Sequence, residues 1–203
     1  MKLDLKKELS NLYKTSSKKI TIVKVPKQNV ISIEGKGNPN TSDDFKNAVE
    51  ALYPIAYTLK FSYKKQDKDY AVMPLEGLWW TPDMKDFTIK NKDIWLWKIF
   101  IVQPDFITKK AFDDAVLQIA KKKNPVSLSK VKFETLNEGS AAQTLYIGPF
   151  ANEGPTIKKI HDFIKENGYS FDGLQQKHHE IYLSDMRKTA PEKLKTIIRQ
   201  SFI

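Results

Sequence analysis

The sequence contains no cysteine. Disulfide bonds, thiolate metal sites and a cysteine nucleophile are therefore excluded. No run of apolar residues approaches the roughly 18 that a membrane-spanning helix needs. The first residues, MKLDLKKELSNLYKTSSKK, also lack the apolar core of a secretory signal. These absences predict a cytoplasmic protein without a membrane partner.

Several catalytic motifs are also missing. The chain has no GxGxxG, Walker, HExxH or GxSxG pattern, so common nucleotide, zinc-protease and serine-hydrolase sites are not indicated. It has only three histidines, and His178 and His179 are neighbours on a predicted strand, where their side chains point to opposite faces. We therefore expect no metal ion and no cofactor.

Positive charge is in excess, with 34 lysines and arginines against 24 acidic residues and a net charge of +10. Such a balance raises the question of nucleic acid. Most of the basic residues are lysines spread along the chain, and no segment resembles a recognition helix or an aromatic RNA-binding motif. A hydrated lysine-rich surface explains the charge, so nucleic acid is not the expected partner, and the sequence identifies no protein partner.

Apolar periodicity and turn residues predict alternating helices and strands over most of the chain. Thr41 or Ser42 can cap a helix that Pro54 should kink or end. The capping box Thr189-Ala190-Pro191-Glu192 predicts a closing helix. Helices are expected over residues 3–13, 108–123 and 153–167, and strands over residues 20–25, 30–35, 70–80, 94–102, 131–136 and 145–150, with 70–80 and 94–102 as an antiparallel pair.

The two halves of the chain repeat one pattern. SIEGKG at residues 32–37 and LYIGPF at residues 145–150 each precede a predicted helix and then a strand with a central glutamate, Glu76 or Glu180. The pattern predicts an α+β fold of two pseudo-symmetric strand–helix–strand–strand units, with these glutamates in equivalent places. We expect a single domain divided into an N-terminal extension (1–25), a first half (26–104), an insertion (105–138) and a second half with a C-terminal helix (139–203).

All four tryptophans lie on the two adjacent strands predicted before and after residue 90: Trp79, Trp80, Trp95 and Trp97. Large aromatic residues commonly form the core of a fold. Strand alternation, however, sends each neighbouring pair to both faces of the sheet. An aromatic wall on the sheet face away from the helices would suit a flat, lipophilic ligand.

The stretch KHHEIYLSD places a carboxylate inside a predicted strand. Alternation puts Glu180 on one face with His178 and Tyr182, while Ile181 and Leu183 take the other face, which we expect to lie toward the helices. A strand glutamate is usually exposed to solvent. In an aromatic pocket its pKa would rise, and it could act as a general acid or base or as a counter-ion for a cation. The sequence leaves these roles open.

Four segments together resemble the GyrI-like small-molecule-binding family: MPLEGLWW, WKIFIVQPDFIT, YIGPFANEGPTI and HHEIYLSDMRKTAPEKLKTIIRQ. The resemblance covers nearly the whole chain from about Val30 onward. It departs from the family pattern at Met186, where proline is expected.

The resemblance implies a fold of the SOUL and GyrI-like type, with a ligand cleft between its two units and a planar hydrophobic xenobiotic as ligand. Standalone members of the family imply hydrolysis of cyclopropane-bearing alkylating natural products. Residues 1–25 would be too few for the separate DNA-binding domain of the family's transcription regulators. The implied catalytic residues are Glu180, as the base, and Tyr146, and the implied ligand contacts are Trp79, Trp80, Trp97, Glu76, Tyr182, His178 and Phe150.

Two alternatives remain open. The protein could sequester drugs without chemistry, with Glu180 as counter-ion for a cationic ligand. It could instead act as a protein-binding module similar to gyrase inhibitors, with its function on the lysine-rich surface.

Overall fold

A computed structural model describes residues 2–203, with Ile89 described as to its backbone only. Eight strands form one curled antiparallel sheet in the order β1-β6-β8-β7-β3-β4-β2-β5. The strands are β1 (Thr21–Val25), β2 (Gln28–Lys36), β3 (Leu75–Trp80), β4 (Leu96–Gln103), β5 (Lys132–Leu136), β6 (Gly139–Ile147), β7 (His178–Tyr182) and β8 (Lys195–Ser201).

Three long helices and two short ones pack against this sheet: α1 (Leu5–Glu8), α2 (Ser10–Tyr13), α3 (Asp43–Lys64), α4 (Lys109–Lys122) and α5 (Gly154–Glu166). Short 3-10 turns are Met84–Asp86, Ile89–Ile94, Leu128–Lys130, Phe150–Asn152 and Pro191–Lys193. Within residues 2–203, no helix combines the length and the apolar character needed to cross a membrane.

The predicted repeat is present. One unit consists of β2, α3, β3 and β4, and the other of β6, α5, β7 and β8. The two units join where β3 pairs with β7 in the middle of the sheet. The outer strands are exchanged between the units, because β1 pairs with β6 and β5 pairs with β2. This arrangement confirms the predicted α+β fold.

The predicted C-terminal helix is wrong. After the short turn Pro191–Lys193, the chain enters β8, which lies between β6 and β7. The spacing of Leu194, Ile197 and Ile198 fits a helix, but Ile197 and Ile198 lie in a strand that is buried on both faces, and Leu194 precedes that strand. A central strand has no exposed side, so it lacks the alternation of apolar and polar residues that identifies edge strands from sequence.

Other differences are smaller. Ser42 caps α3 by accepting a hydrogen bond from the Phe45 amide at 3.4 Å, but Pro54 does not end the helix, which continues to Lys64. The proline costs about 3 kcal/mol in a helix interior. The fully buried stripe of Ala48, Ala51, Leu52 and Ile55 offsets this cost. The predicted helix over residues 3–13 is split into α1 and α2, and the strand predicted over residues 70–80 starts at Leu75.

The sheet register assigns the residues of β3 and β7 to two faces. Gly77 lies opposite Glu180, and Glu76 lies opposite Ile181. Residues that are directly opposite share a face, so Glu180 and Glu76 point to different sides of the sheet. We call the side of Glu180 and Trp79 the front face and the side of Glu76 and His179 the back face.

Helices α3 and α5 both cover the front face. Phe45 of α3 stacks on Trp79 with ring centroids 5.7 Å apart, and Ile160 of α5 packs in one cluster with Ile198 of β8. The face that carries Glu180 and Trp79 was expected to lie away from the helices. In the structure it is the face that the helices cover. Glu76, which lies on the side away from α3, is not equivalent to Glu180, which lies on the side of α5, so this part of the predicted symmetry is wrong.

A buried polar network ties α2 to the back face. The Tyr13 hydroxyl donates to Glu76 at 2.8 Å, and the His179 ring donates to Glu76 at 3.0 Å and to Glu138 at 2.9 Å. Arg199 donates to Glu138 at 3.3 Å and to the backbone carbonyl of Leu12. The two carboxylates are thus paired with an imidazolium and a guanidinium, which compensates the loss of hydration.

The charges of this network shift the pKa values of its members. Burial lowers the pKa of His179, but Glu138 and then Glu76 outweigh it and bring that pKa to about 9. Burial raises the pKa of Glu138, yet His179 and then Arg199 bring it down to about 2. Both groups therefore stay charged at neutral pH.

The network predicts a pH-dependent stability. Since the pKa of His179 is about 9 in the folded protein against an ordinary 6.5, its contribution is complete below pH 6.5 and is lost as pH rises through 9. We expect the free-energy difference between wild type and His179→Gln to shrink by roughly 3 kcal/mol over that interval. Urea unfolding of both proteins at several pH values measures it, and a constant difference would contradict the assignment.

Candidate ligand-binding and active site

A cavity of about 350 Å³ opens between the two helices on the front face. Its floor is formed by β3 and β7, and its walls by α3 and α5. The loop between β3 and β4 covers it from above, with side chains that include Met84, Phe87 and Lys92. Six aromatic rings line it: Phe45, Trp79, Phe87, Trp95, Phe150 and Tyr182.

The rings form a continuous aromatic wall. Trp95 meets Trp79 edge-on at 5.9 Å between centroids, and Phe87 stacks on Trp95 at 4.5 Å. Phe150 meets Tyr182 edge-on, with ring centroids 5.7 Å apart. Such a wall offers both faces and edges of rings to a flat ligand, so it favours planar hydrophobic molecules.

Two carboxylates and a histidine converge within this aromatic wall. The ligand atoms of Glu153, His178 and Glu180 all lie within 4.8 Å of one another. His178 Nε2 is 3.1 Å from Glu180 Oε1, and its Nδ1 is 2.6 Å from Oε1 of Gln200. The three residues come from β7 and from the residue that precedes α5, so the second repeat unit supplies this polar group.

The neighbouring charges separate the pKa values of the two carboxylates. Burial, and then the negative charge of Glu180, raises the pKa of Glu153 to about 10. Burial opposes ionisation of Glu180 as well, but its hydrogen bond with His178 and its contacts with Glu153 and Tyr182 hold its pKa below the ordinary value. At neutral pH the pair therefore carries one proton, on Glu153, and one negative charge, on Glu180.

One oxygen of this pair remains available. Among the residues that the structure describes, Glu153 Oε2 has no hydrogen-bond partner although it is buried. A buried polar atom without a partner costs free energy, and a ligand or a water molecule that bonded to it would recover that cost. This oxygen therefore points to polar recognition at the bottom of the cavity.

Five residues predicted from the sequence line the cavity: Glu180, His178, Tyr182, Trp79 and Phe150. They are brought together because alternation places residues 178, 180 and 182 on the front face beside Trp79 of the neighbouring strand. The Trp79 indole donates to the Tyr182 hydroxyl at 3.1 Å, which fixes both rings in the wall.

The other four predicted residues lie elsewhere. Trp97 is fully buried beneath Phe45, with ring centroids 5.2 Å apart, and Glu76 belongs to the back-face network. Trp80 is on the back face, under the ammonium of Lys177. The Tyr146 hydroxyl donates to the carbonyl of Pro149 at 2.9 Å, where it supports the turn before α5.

Several lining residues were not predicted from the sequence, in particular Glu153, Phe87, Trp95 and Lys92. Phe87 lies in the covering loop, where no periodicity assigns a face, and Trp95, expected within the strand over residues 94–102, immediately precedes β4. Glu153 immediately precedes α5, and an acidic residue at this position commonly stabilises a helix through its interaction with the helix dipole. The departure from the family pattern at Met186 also falls within the site, because Met186 lines the cavity.

The spacing of Glu153, His178 and Glu180 could also hold a metal ion. A metal ion would need the carboxylate of Glu153 rather than its acid form. The raised pKa of Glu153 means that a proton competes with any metal ion for this position.

A curled antiparallel sheet with an aromatic cavity between two repeated units defines a small-molecule-binding protein. The chain belongs to the GyrI-like family: the profile of the GyrI-like small molecule binding domain matches residues 18–199.

Solved structures support this assignment. An uncharacterized conserved protein from Listeria innocua is 39% identical, with a TM-score of 0.92 and complete coverage of both chains. A protein from Listeria innocua described as a hydrolase is 38% identical, with a TM-score of 0.90 and complete coverage of both chains. The EcmrR C-terminal domain shares the fold at 13% identity and a TM-score of 0.55, over 91% of this chain and 97% of that one. No protein with a curated description matches the chain.

The two faces of the sheet give a matched pair of tryptophan variants. Trp95→Ala removes a ring of the cavity wall, so we expect it to weaken binding of a planar aromatic dye by ~1–3 kcal/mol. Trp80→Ala removes a ring from the back face and should leave the affinity unchanged. Fluorescence titration of both variants measures this. Equal losses in the two variants would argue against a cavity formed by the front-face rings.

The carboxylate pair predicts a stabilising substitution. The raised pKa of Glu153 means that the folded protein keeps a proton that the unfolded chain releases above its ordinary pKa of 4.5. Stability therefore falls as pH rises from there toward 10. Glu153→Gln removes this dependence and should raise the free energy of unfolding at pH 7 by roughly 1–3 kcal/mol. Glu166→Gln, at the exposed last residue of α5, serves as control. A destabilised Glu153→Gln protein would mean that Glu153 is ionised when folded.

Proposed function

We propose that the protein binds planar hydrophobic xenobiotics in this cavity and opens a strained cyclopropane ring in them by hydrolysis. The observation that carries the proposal is the pair formed by the acid of Glu153 and the carboxylate of Glu180, enclosed by aromatic rings. A neighbouring acid and base with separated pKa values is the arrangement that general acid–base catalysis requires.

In the proposed reaction, Glu180 takes a proton from a water molecule as its oxygen attacks a carbon of the three-membered ring. A new carbon–oxygen bond forms and one carbon–carbon bond of the ring breaks. The electron pair of the broken bond moves through the conjugated system to a carbonyl oxygen, which becomes a phenol or enol by accepting a proton. We assign that proton to Glu153, since the Tyr146 hydroxyl is engaged with Pro149.

A single proton transfer restores the starting protonation state of the two carboxyl groups. After ring opening, Glu180 is protonated and Glu153 is ionised. Since the carboxyl groups lie within 4.8 Å of each other, the proton can pass back from Glu180 to Glu153. No other reactant is consumed, because water supplies both the new hydroxyl group and the net proton.

The aromatic wall would hold the ligand plane beside the pair and keep bulk water out. A correctly positioned base accelerates such a reaction by ~10²–10⁴-fold, and the strain of the ring adds driving force. The similar Listeria innocua proteins described as hydrolases, at 38% and 37% identity, support a catalytic rather than a purely storing role.

A second candidate function is binding without chemistry. The single negative charge on Glu180 lies among apolar rings, and such a site also favours a lipophilic cation. In that case Glu180 is a counter-ion, and the ligand leaves unchanged.

The substitution Glu180→Gln separates the two candidates. It keeps the size of the side chain but removes the base and the charge. If the protein hydrolyses the ring, turnover of a cyclopropane-bearing alkylator should fall by ~10²-fold or more, with little change in affinity. Mass spectrometry detects the product through the added mass of one water molecule.

Binding of a cationic dye and of a neutral dye of similar shape completes the test. A loss of affinity for the cation alone, with no ring-opening activity in the wild type, would support the binding-only function. Unchanged activity in Glu180→Gln would exclude Glu180 as the base. Turnover measured with and without a chelator separates the proton from a metal ion at Glu153.

A further inference from the structure

The separation of Glu153 and Glu180 limits the kind of ring on which both can act at once. Carboxyl oxygens of the two residues lie within 4.8 Å of each other. A general acid and a general base each act over one hydrogen-bond length, about 2.6–3.2 Å. Two groups this close can serve two atoms that are bonded to each other, with a water molecule on the side of the base. The geometry therefore suits a ring in which the attacked atom is bonded directly to the atom that takes the proton.

The acid of the pair has an oxygen that is free to meet a ligand. Glu153 is only 8% exposed, and among residues 2–203 its Oε2 has no hydrogen-bond partner. Burial, and then the charge of Glu180, raises the pKa of Glu153 to about 10, so this residue holds a proton at neutral pH. A protonated carboxyl group can donate one hydrogen bond. A ligand atom that only accepts hydrogen bonds, such as the oxygen of a strained ring, matches it.

The base of the pair is held in a fixed orientation. His178 Nε2 lies 3.1 Å from Glu180 Oε1, and the Nδ1 of the same ring lies 2.6 Å from Oε1 of Gln200. Gln200 belongs to the central strand β8 and is fully buried, so it anchors the imidazole to the core. A base that is held in this way can keep a water molecule aligned with one carbon of a ring.

The aromatic rings next to the pair favour a ring carbon that carries an aryl group. Tyr182 follows Glu180 on the same face of β7, Phe150 meets it edge-on, and the Trp79 indole donates to its hydroxyl at 3.1 Å. When the carbon–oxygen bond of an epoxide breaks, positive charge develops on the attacked carbon, and an aryl substituent spreads that charge. The faces of aromatic side chains attract positive charge. The wall would therefore both bind the aryl group and stabilise the transition state.

We propose that this cavity also hydrolyses aryl-substituted epoxides to vicinal diols, an activity beyond the opening of cyclopropane rings. Water attacks the aryl-bearing carbon while Glu180 takes a proton from it. A new carbon–oxygen bond forms, and the bond between that carbon and the ring oxygen breaks. The electron pair stays on the ring oxygen, which takes the proton of Glu153 and becomes the second hydroxyl group. The proton then passes from Glu180 back to Glu153, so only epoxide and water are consumed.

This inference rests on the acid–base pair of the proposed function, and it adds a second class of substrate. The test measures conversion of styrene oxide to its diol at neutral pH, with buffer alone as the background. We expect wild-type protein to exceed the background by ~10²-fold or more. Glu180→Gln should lose ~10²-fold of that rate, and Glu153→Gln ~10-fold or more. Cyclohexene oxide, which has no aromatic ring, should react at least ~10-fold more slowly than styrene oxide.

Trp80→Ala and Glu166→Gln are the matched controls. Trp80 lies on the back face under the ammonium of Lys177, and Glu166 is the exposed last residue of α5. Both variants should keep the wild-type rate with styrene oxide. Thermal melting shows which variants are folded, and only folded variants enter the comparison.

A single turnover in water labelled with the heavy isotope of oxygen tests the step in the wild type, without any substitution. With protein in excess over styrene oxide, attack by water places the label in the diol during the first turnover. A covalent ester of Glu180 would instead transfer an unlabelled carboxylate oxygen. A first diol without label would therefore overturn the assignment of Glu180 as the base, even if Glu180→Gln did not fold.

The outcomes separate this activity from the opening of cyclopropane rings. Turnover of a cyclopropane-bearing alkylator without turnover of styrene oxide would overturn the epoxide activity and leave the proposed function in place. Turnover of styrene oxide alone would establish the epoxide activity and overturn the cyclopropane reaction. Turnover of neither would overturn both. Equal rates with styrene oxide in the wild type, Glu153→Gln and Glu180→Gln would contradict a reaction at this pair.

Discussion

The register of β7 between β3 and β8 is the constraint on which the site depends. With Gly77 opposite Glu180, residues 178, 180 and 182 face the helices, and residues 179 and 181 face the other side. A slip of one residue would exchange Glu180 with His179 and bring a carboxylate into the back-face network. The glycine also matters, because a Cβ at Gly77 would lie 2.8 Å from the Trp79 indole nitrogen and displace that ring from the cavity wall. The back-face network holds the same strand in place through His179.

The buried charges on the two faces of β7 are balanced to different degrees. On the back face, two carboxylates meet an imidazolium and a guanidinium, so the charges balance inside the fold. On the front face, two carboxyl groups lie beside one histidine, and burial together with the charge of Glu180 raises the pKa of Glu153 to about 10. Unbalanced groups in a cavity cost stability and persist where a ligand or a reaction uses them. The contrast therefore distinguishes the back-face network from the proposed site on neighbouring residues.

Strand alternation accounts for the part of the site that the sequence predicts. Once residues 178–182 are assigned to a strand, the common face of His178, Glu180 and Tyr182 follows. Alternation alone does not identify the face that the helices cover. For this reason Glu76 and Trp80 were expected in the cleft, although they lie on the back face. Glu153 and the covering loop are outside any periodic element and become neighbours of Glu180 only through tertiary packing. The C-terminal segment shows the same limit, because the apolar pattern of a central strand cannot be distinguished from that of a buried helix.

The position of the proton decides whether this cavity can act as a catalyst. Ring opening by water is helped by a base at the attacking oxygen and an acid at the oxygen that receives the electron pair. A lone buried glutamate would supply only one of these. In the proposed reaction Glu153 and Glu180 would supply both, because burial and the charge of Glu180 raise the pKa of Glu153 while His178, Glu153 and Tyr182 hold that of Glu180 below its ordinary value. The requirement for geometry in the proposed reaction is then that the ligand plane lie beside both carboxyl groups, which are within 4.8 Å of each other. The wall formed by Trp79, Trp95 and Phe87 would restrict a flat molecule to few orientations beside this pair.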